Sequence, residues 1–87
     1  MSSQQRTRTE KAALKVLGRS IKKWRKRKGL TQEQLALLIK FTRSYITEIE
    51  TGKRNISYLN LIKIIKVLEV DKQDWDELLS SIPEGDV

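Results

Sequence analysis

Residues 29–50 read GLTQEQLALLIKFTRSYITEIE, and this stretch decides the fold. Within it, Thr31 is followed three positions later by Gln34, a spacing typical of a capping box at the start of a helix. In a capping box, the hydroxyl of the first residue accepts from the main-chain N–H of the second, and the side chain of the second accepts from the main-chain N–H of the first. The pattern predicts a short second helix that opens after Thr31 and runs to about Ile39.

A third short helix is predicted over residues 43–50. Residues 40–42 are too few for more than a tight connection, and Thr42 is a suitable N-cap for this third helix. Ile46 and Ile49 are three positions apart, so both face the interior. Two short capped helices joined by a tight turn are typical of a helix-turn-helix unit.

Upstream of this unit, the sequence predicts a first helix from about Lys11 to Lys28. Its apolar residues recur at steps of three and four, the spacing of one helical face. Gly29 supplies the left-handed residue that commonly ends a helix. The apolar stripe consists of Leu14, Leu17, Ile21 and Trp24.

Downstream, Ser57 is a cap for a fourth helix that runs to about Leu68. Asp71 or a neighbour begins a last helix, which carries Trp75, Leu78 and Leu79. The predicted fold class is therefore all-α, with five helices.

The chain has 87 residues, which fits one compact domain and leaves little room for a second. Residues 1–9 are polar with nothing to bury, and they are predicted to form a flexible basic arm. The predicted domain covers residues 10–82, and residues 83–87 form a tail.

Cysteine and histidine are both absent from the sequence. Disulfides, thiolate or imidazole metal sites and the common His or Cys catalytic arrangements are therefore excluded, and we expect neither an enzyme nor a cofactor. No run of eighteen apolar residues exists, and the polar start lacks the apolar stretch of a signal peptide. We expect a cytoplasmic protein.

The formal net charge is +7, which favours a polyanionic partner. Eleven lysines or arginines fall in residues 1–28 beside one acidic residue, whereas residues 58–87 hold three cations and seven acidic residues. One end of the chain is basic and the other is acidic. A solvated helix face with an acidic tail is an equally good interpretation of these charge runs alone.

The fourth helix carries more apolar residues than one core-facing stripe needs. We therefore expect a homodimer joined through the fourth and fifth helices. The alternative is deep burial between neighbouring helices of the same chain. The predicted interface residues are Leu59, Ile62, Trp75, Leu78, Leu79 and Ile82.

The third helix places Arg43, Ser44, Thr47 and Glu48 on its outward face. A major groove admits one α-helix, and its base edges present donors and acceptors that such side chains can match. The pattern therefore favours reading of double-stranded DNA. A helix-turn-helix fold alone is weaker evidence, because short helical hairpins also occur in other proteins.

The chain resembles the phage-repressor and Cro type of helix-turn-helix protein, the XRE family, over roughly residues 14–79. The motifs Leu-Thr-Gln-Glu at residues 30–33 and Ile-x-x-Ile-Glu-x-Gly-Lys at residues 46–53 carry this resemblance. Residues 43–46 and 54–57 are most similar to controller proteins of restriction-modification systems. The resemblance implies a transcription regulator that binds an inverted-repeat operator.

By this resemblance, the four outward residues of the third helix read bases, and Thr31 and Gln32 hold a backbone phosphate, as a helix N-terminus can. Other interpretations stay open: Thr31 as a plain cap, Tyr45 as a core aromatic, Thr47 and Glu48 as solvated residues, and Arg43 as a phosphate clamp. The further positions implied to contact the DNA backbone are Tyr45, Lys53, Arg54 and Asn55.

The resemblance also implies that Arg25 turns inward to pair with Glu50. Two positions depart from the family pattern. Glu69 stands where the family usually has glycine, so the fourth helix is expected to lack its left-handed cap. Trp24 replaces a smaller aliphatic residue and either fills the core or leaves an edge exposed.

Several functional alternatives remain at this point. A phage repressor or the antitoxin of a toxin-antitoxin pair would keep the fold and change the partner. In a different class, the basic cluster at residues 22–28 would bind a protein or an anionic membrane surface. Membrane docking is disfavoured because the core needs the neighbouring apolar residues. The acidic last helix either contacts RNA polymerase or only keeps that side of the dimer away from DNA.

Overall fold

The computed structural model describes residues 7–83. Over this range it contains five helices and no strand, which confirms the predicted all-α class. Most of the predicted arm and all but the first residue of the predicted tail lie outside the described residues. The helices are α1 (Arg8–Arg27), α2 (Gln32–Ile39), α3 (Arg43–Glu50), α4 (Tyr58–Val67) and α5 (Lys72–Ser81).

Every one of these helices begins at a polar N-cap, whose side-chain oxygen accepts from the main-chain N–H three residues on. The caps are Thr7, Thr31, Thr42, Ser57 and Asp71. The last four agree with the sequence prediction.

Helix α1 begins earlier than predicted, because Thr7 and Glu10 form a capping box. Arg8 and Thr9 therefore belong to the helix rather than to the arm, which corrects the predicted boundary.

The C-terminal ends of α1 and α4 have the same left-handed geometry, although only the first has a glycine. Gly29 follows α1 with a φ of 74°, and Glu69 follows α4 with a φ of 53°. Beyond α4, the N–H of Val70 donates to the carbonyl of Ile65 at 3.0 Å, which closes the turn as in a Schellman motif. The expectation that α4 lacks this cap was wrong. The Glu69 carboxylate also binds the ammonium group of Lys28, which joins the two helix ends.

The core lies where the inner faces of all five helices meet. Its members include Ile21, Leu35, Ile46, Ile64 and Leu68, which are no more than 1% exposed.

Trp24 fills the core rather than leaving an edge exposed. Its side chain is 2% exposed, and its ring lies 6.5 Å from the ring of Trp75, centroid to centroid. The two residues belong to α1 and α5, so this contact docks the last helix on the first.

Helix α1 packs directly on the C-terminal end of α3. A Cβ atom at Gly18 would lie 2.4 Å from the carbonyl oxygen of Ile49 and 2.5 Å from that of Glu50. The absence of a side chain therefore sets how closely the two backbones approach. This approach holds α3 from behind and leaves its opposite face outward. Among the described residues, no helix is long and apolar enough to cross a membrane.

Candidate nucleic-acid interface

The α2–α3 unit is built by local chemistry. Thr31 and Gln34 form the predicted capping box at the start of α2. Lys40 takes the left-handed conformation at its end, with a φ of 59°, and the hydroxyl of Thr42 accepts from the N–H of Tyr45 to start α3. The turn between the helices is therefore fixed by a left-handed residue and a cap, two positions apart.

The four predicted base-reading residues share one outer surface of α3. Arg43, Ser44 and Thr47 are exposed, and Glu48 is half-buried. All four side chains line one shallow concavity, as expected for residues one and four positions apart on a helix. Within residues 7–83, the Arg43 guanidinium has no hydrogen bond or ion pair, so its N–H donors are available to a ligand.

A second concavity joins this surface to the N-terminus of α2. Thr31, Gln32 and Arg43 line it together with the end of α1. The first N–H groups of a helix have no intrahelical acceptor and attract anions. Thr31 is exposed, so this main-chain edge is accessible. The Gln32 side chain, in contrast, is half-buried and turns toward α3.

Behind α3 lies a buried ion pair between Arg25 and Glu50, whose side chains are 7% and 2% exposed. Arg25 Nε donates to Glu50 Oε2 at 2.6 Å, and Nη2 donates to Oε1 at 2.9 Å. Arg25 Nη1 also donates to the carbonyl of Leu30 at 2.8 Å. The pair therefore ties α1 to both the end of α3 and the residue that precedes the α2 cap. The resemblance implied this partnership.

Two polar side chains extend this ion pair to the outer surface of α3. Gln32 Nε2 donates to Glu50 Oε1 at 3.0 Å, and Thr47 Oγ1 donates to Gln32 Oε1 at 3.0 Å. The family resemblance implied a phosphate contact for Gln32 and a base contact for Thr47, but not the hydrogen bond between the two side chains. Fifteen residues separate the two, so no local pattern could have shown it.

Tyr45 lies at the centre of a second cluster. Its ring packs edge-on against Phe41 at 5.0 Å, and its hydroxyl accepts from Asn60 Nδ2 at 2.9 Å. The Arg54 guanidinium lies 5.4 Å from the ring centroid, and it donates to Glu48 Oε1 from Nε at 3.0 Å and from Nη2 at 2.8 Å. One predicted base-reading residue and two predicted backbone contacts are therefore linked to one another.

Lys53, Arg54 and Asn55 lie exposed in the loop that follows α3. This loop begins with Gly52 at a φ of 77°, which directs the chain back across α1. A Cβ atom at Gly52 would lie within 3 Å of the Lys15 main chain, so the loop rests closely on α1. Within this loop, Arg54 reaches the outer surface of α3 through its hydrogen bonds to Glu48.

The basic run of α1 is partly neutralised by the acidic end of the chain. Arg27 Nη1 and Nη2 each donate to one carboxylate oxygen of Asp74 at 2.8 Å, and Lys23 lies 3.9 Å from Glu77. The Arg27 guanidinium lowers the pKa of Asp74 from 3.8 to about 2. With the buried Arg25 and with Lys28, which binds Glu69, four of the six cations in the cluster at residues 22–28 are paired.

An apolar groove of about 450 Å³ lies between α4 and α5. Of the six predicted interface residues, Leu59 and Leu79 are 70% and 53% exposed. Leu78 is 3% exposed, because its side chain lies in the core of its own chain. It has no surface to offer a second subunit, which corrects the prediction for this residue. The remaining three are half-buried, and they are Ile62, Trp75 and Ile82.

Comparison with known proteins places this geometry in a family. The helix-turn-helix family model matches residues 21–75, more than half of the chain. Control protein C.MunI of Mycoplasma sp. is 50% identical over 48 residues, which are 54% of this chain and 65% of that protein. This chain thus spans just under two thirds of its length. Control protein C.BamHI of Bacillus amyloliquefaciens is 38% identical over 60 residues, 68% of this chain and 74% of that protein.

Solved structures agree. The restriction-modification controller protein C.Esp1396I, a tetramer in complex with its natural 35 base-pair operator, has a TM-score of 0.70 at 38% identity. The superposition covers 80% of this chain and 93% of that one. Sequence and fold therefore lead to one assignment: the chain belongs to the XRE-type helix-turn-helix family.

Proposed function

We propose that this chain is a sequence-specific transcription regulator that binds double-stranded DNA as a homodimer. The observation that carries the proposal is the shared outer surface of Arg43, Ser44, Thr47 and Glu48 on α3, the second helix of the capped unit. The major groove admits an α-helix, and its base edges present distinct donors and acceptors to such side chains. The proposed role is binding rather than catalysis.

Arg43 is the main base-reading residue in this proposal. It is the first residue of α3, and its guanidinium is unpaired within the described residues. Arginine at this position can donate two parallel hydrogen bonds to O6 and N7 of guanine, the commonest specific contact in the major groove. In this proposal, the α2 N-terminus at Thr31 and the loop residue Lys53 hold phosphates and set the register.

The homodimer in this proposal forms through the groove between α4 and α5. Tyr58 lines this groove and is exposed, Leu59 is its exposed neighbour on α4, and a second copy would remove both from water. A two-fold axis there presents the two α3 helices to half-sites about one helical turn, roughly 34 Å, apart. The operator would therefore be an inverted repeat.

The finer part of the proposal is a controller role in a restriction-modification system. Two relatives are control proteins by name, and a solved neighbour is a controller bound to its operator. A restriction endonuclease or methyltransferase gene beside this gene supports that role. A neighbouring toxin gene would instead support an antitoxin.

The test begins with a selection of bound sequences from a randomised duplex library. Arg43→Ala and Lys53→Ala are then titrated against the selected duplex and a scrambled one across a salt series. Loss of a bidentate base contact should cost roughly 1 to 3 kcal/mol on the selected duplex and spare the scrambled one. Loss of a phosphate contact should weaken both and lower the salt slope by about one. Equal losses for Arg43→Ala on both duplexes would reduce this residue to a positioning role, and failure to enrich any sequence would overturn the proposed function.

A further inference from the structure

The hydrogen bonds that lead from the buried ion pair to the surface of α3 all have a defined direction. A carboxylate only accepts hydrogen bonds, and the Glu50 carboxylate forms a bidentate pair with the Arg25 guanidinium. Gln32 must therefore turn its NH2 group toward Glu50, because the reversed amide would set its oxygen against a carboxylate oxygen. This orientation points the amide oxygen of Gln32 at Thr47.

The next step concerns the hydroxyl of Thr47. An amide oxygen only accepts, so Thr47 must donate its single proton to Gln32, over the 3.0 Å that separates the two oxygens. The hydroxyl oxygen keeps its lone pairs and can only accept from any further partner. Thr47 is exposed and lines the surface of α3 that faces outward, so that partner would come from the ligand.

We propose that Gln32 is a specificity-determining residue, which acts by holding the Thr47 hydroxyl as an acceptor. This inference rests on the proposed function. In the major groove, the donors on base edges are the exocyclic amino groups of adenine and cytosine, whereas guanine and thymine present acceptors. Thr47 accordingly selects adenine or cytosine at the position it contacts. One neutral hydrogen bond corresponds to a preference of roughly three- to tenfold.

The Gln32 side chain thereby takes a role different from the phosphate contact expected from the sequence. Both ends of its amide are occupied inside the protein, by Glu50 and by Thr47. The main-chain N–H at the start of α2 remains for the phosphate. One residue thus serves two parts of the DNA, with its backbone on a phosphate and its side chain behind a base-reading hydroxyl.

The experiment compares the base preferences of four proteins by selection from a randomised duplex library, followed by sequencing. Thr47→Val removes the hydroxyl at nearly constant shape, and Gln32→Met removes the acceptor that fixes its proton. The third protein is the double variant, and the fourth is Glu33→Gln, an exposed neighbour in the same helical turn that serves as the control.

Wild type and the control should enrich adenine or cytosine at one position of each half-site, and Thr47→Val should lose the preference at that position alone. Gln32→Met should admit guanine and thymine there, because the freed hydroxyl can now donate. The double variant should match Thr47→Val, since Gln32 acts only through Thr47. A Gln32→Met protein that keeps the wild-type preference would overturn the inference, and so would guanine or thymine at that position in wild type.

A change on the DNA provides a readout that does not depend on the folding of Gln32→Met. The exocyclic amino group alone is removed when unsubstituted purine replaces the selected adenine, or when pyrimidin-2-one replaces a selected cytosine. Wild type should lose roughly three- to tenfold in affinity, and Thr47→Val should lose nothing. Equal losses for both proteins would overturn the inference while leaving the proposed function intact. A wild type that enriches no sequence would instead overturn the proposed function.

Discussion

Breaking the ion pair behind α3 should be among the most destabilising single changes in this protein. Arg25→Met leaves the Glu50 side chain 2% exposed and removes the donor to the Leu30 carbonyl. Among residues 7–83, the Gln32 amide is then the remaining hydrogen-bond partner of the carboxylate. An uncompensated buried charge costs about 3 to 5 kcal/mol. Domains of this size are stable by about 5 to 15 kcal/mol, so this loss is a large share of the total.

The companion variants separate the buried charge from lost packing. Glu50→Gln leaves the Arg25 guanidinium buried without its counter-charge, and a cost of about 3 kcal/mol is again expected. The double variant Arg25→Met/Glu50→Met replaces both charges by apolar side chains of similar length. Its cost should fall well below the sum of the single costs, because neither charge is left unpaired.

Urea denaturation at one fixed protein concentration measures these differences, since the proposed dimerisation would make stability depend on concentration. In thermal melts, the single variants should lose roughly 12 °C or more, at about 4 °C or more per kcal/mol for a chain of this size. Losses below about 1 kcal/mol for both single variants are typical of exposed pairs, and they would refute the reasoning.

Three other predictions concern packing, pH and assembly. Gly18→Ala should lower the melting temperature far more than Gly29→Ala. A methyl group at residue 18 would lie 2.4 Å from the Ile49 carbonyl oxygen of α3, whereas one at residue 29 would have nothing within 4 Å. The pKa of Asp74 is lowered from 3.8 to about 2, so its contribution to stability is present above pH 3.8 and lost as the pH falls toward 2. The stability of Asp74→Asn should therefore decrease less than that of wild type over this pH range. In sedimentation equilibrium, Leu59→Asp should dissociate the proposed dimer, whereas Leu37→Asp, at an exposed residue of α2, should not.

Each of these measurements has an outcome that contradicts its prediction. Alanine in the left-handed conformation costs about 1 to 2 kcal/mol, and Gly29→Ala should lose no more stability than this. Equal melting temperatures for the two glycine variants would therefore argue against a close contact at Gly18. If the stability of wild type and of Asp74→Asn decreased equally as the pH is lowered, the pairing of Asp74 with Arg27 would not affect stability. A monomeric wild type that binds a full operator without loss would exclude the proposed interface.

Local chemistry made most of the fold predictable. The caps at Thr31, Thr42, Ser57 and Asp71 depend on residues three positions apart, and the sequence shows them directly. The capping box at Thr7 was equally visible as a Thr-x-x-Glu pattern, but the polar composition around it favoured an arm. The prediction from composition was wrong at this position, because a capping box needs only two suitable side chains.

Features that depend on tertiary packing were less predictable. Trp75, Leu78 and Leu79 of α5 and its C-cap Ile82 form one apolar stripe. Only the docking of this helix shows that Leu78 faces the core while Leu79 faces outward. The left-handed Glu69 contradicts its own intrinsic preference, and its carboxylate is held by a lysine 41 residues away. The hydrogen bonds that link Glu50, Gln32 and Thr47 likewise join residues that are far apart in the sequence, so no local pattern predicts them.

The contact between α1 and α5 also gives the protein an intrinsic optical reporter. Its two tryptophans are the pair that docks these helices, and the outer surface of α3 has none. Trp75 lines the apolar groove, whereas Trp24 is buried. Tryptophan emission should therefore shift to shorter wavelength as the groove is covered, and DNA at the far surface should leave it nearly constant. A dilution series read by fluorescence would then follow subunit association without a label.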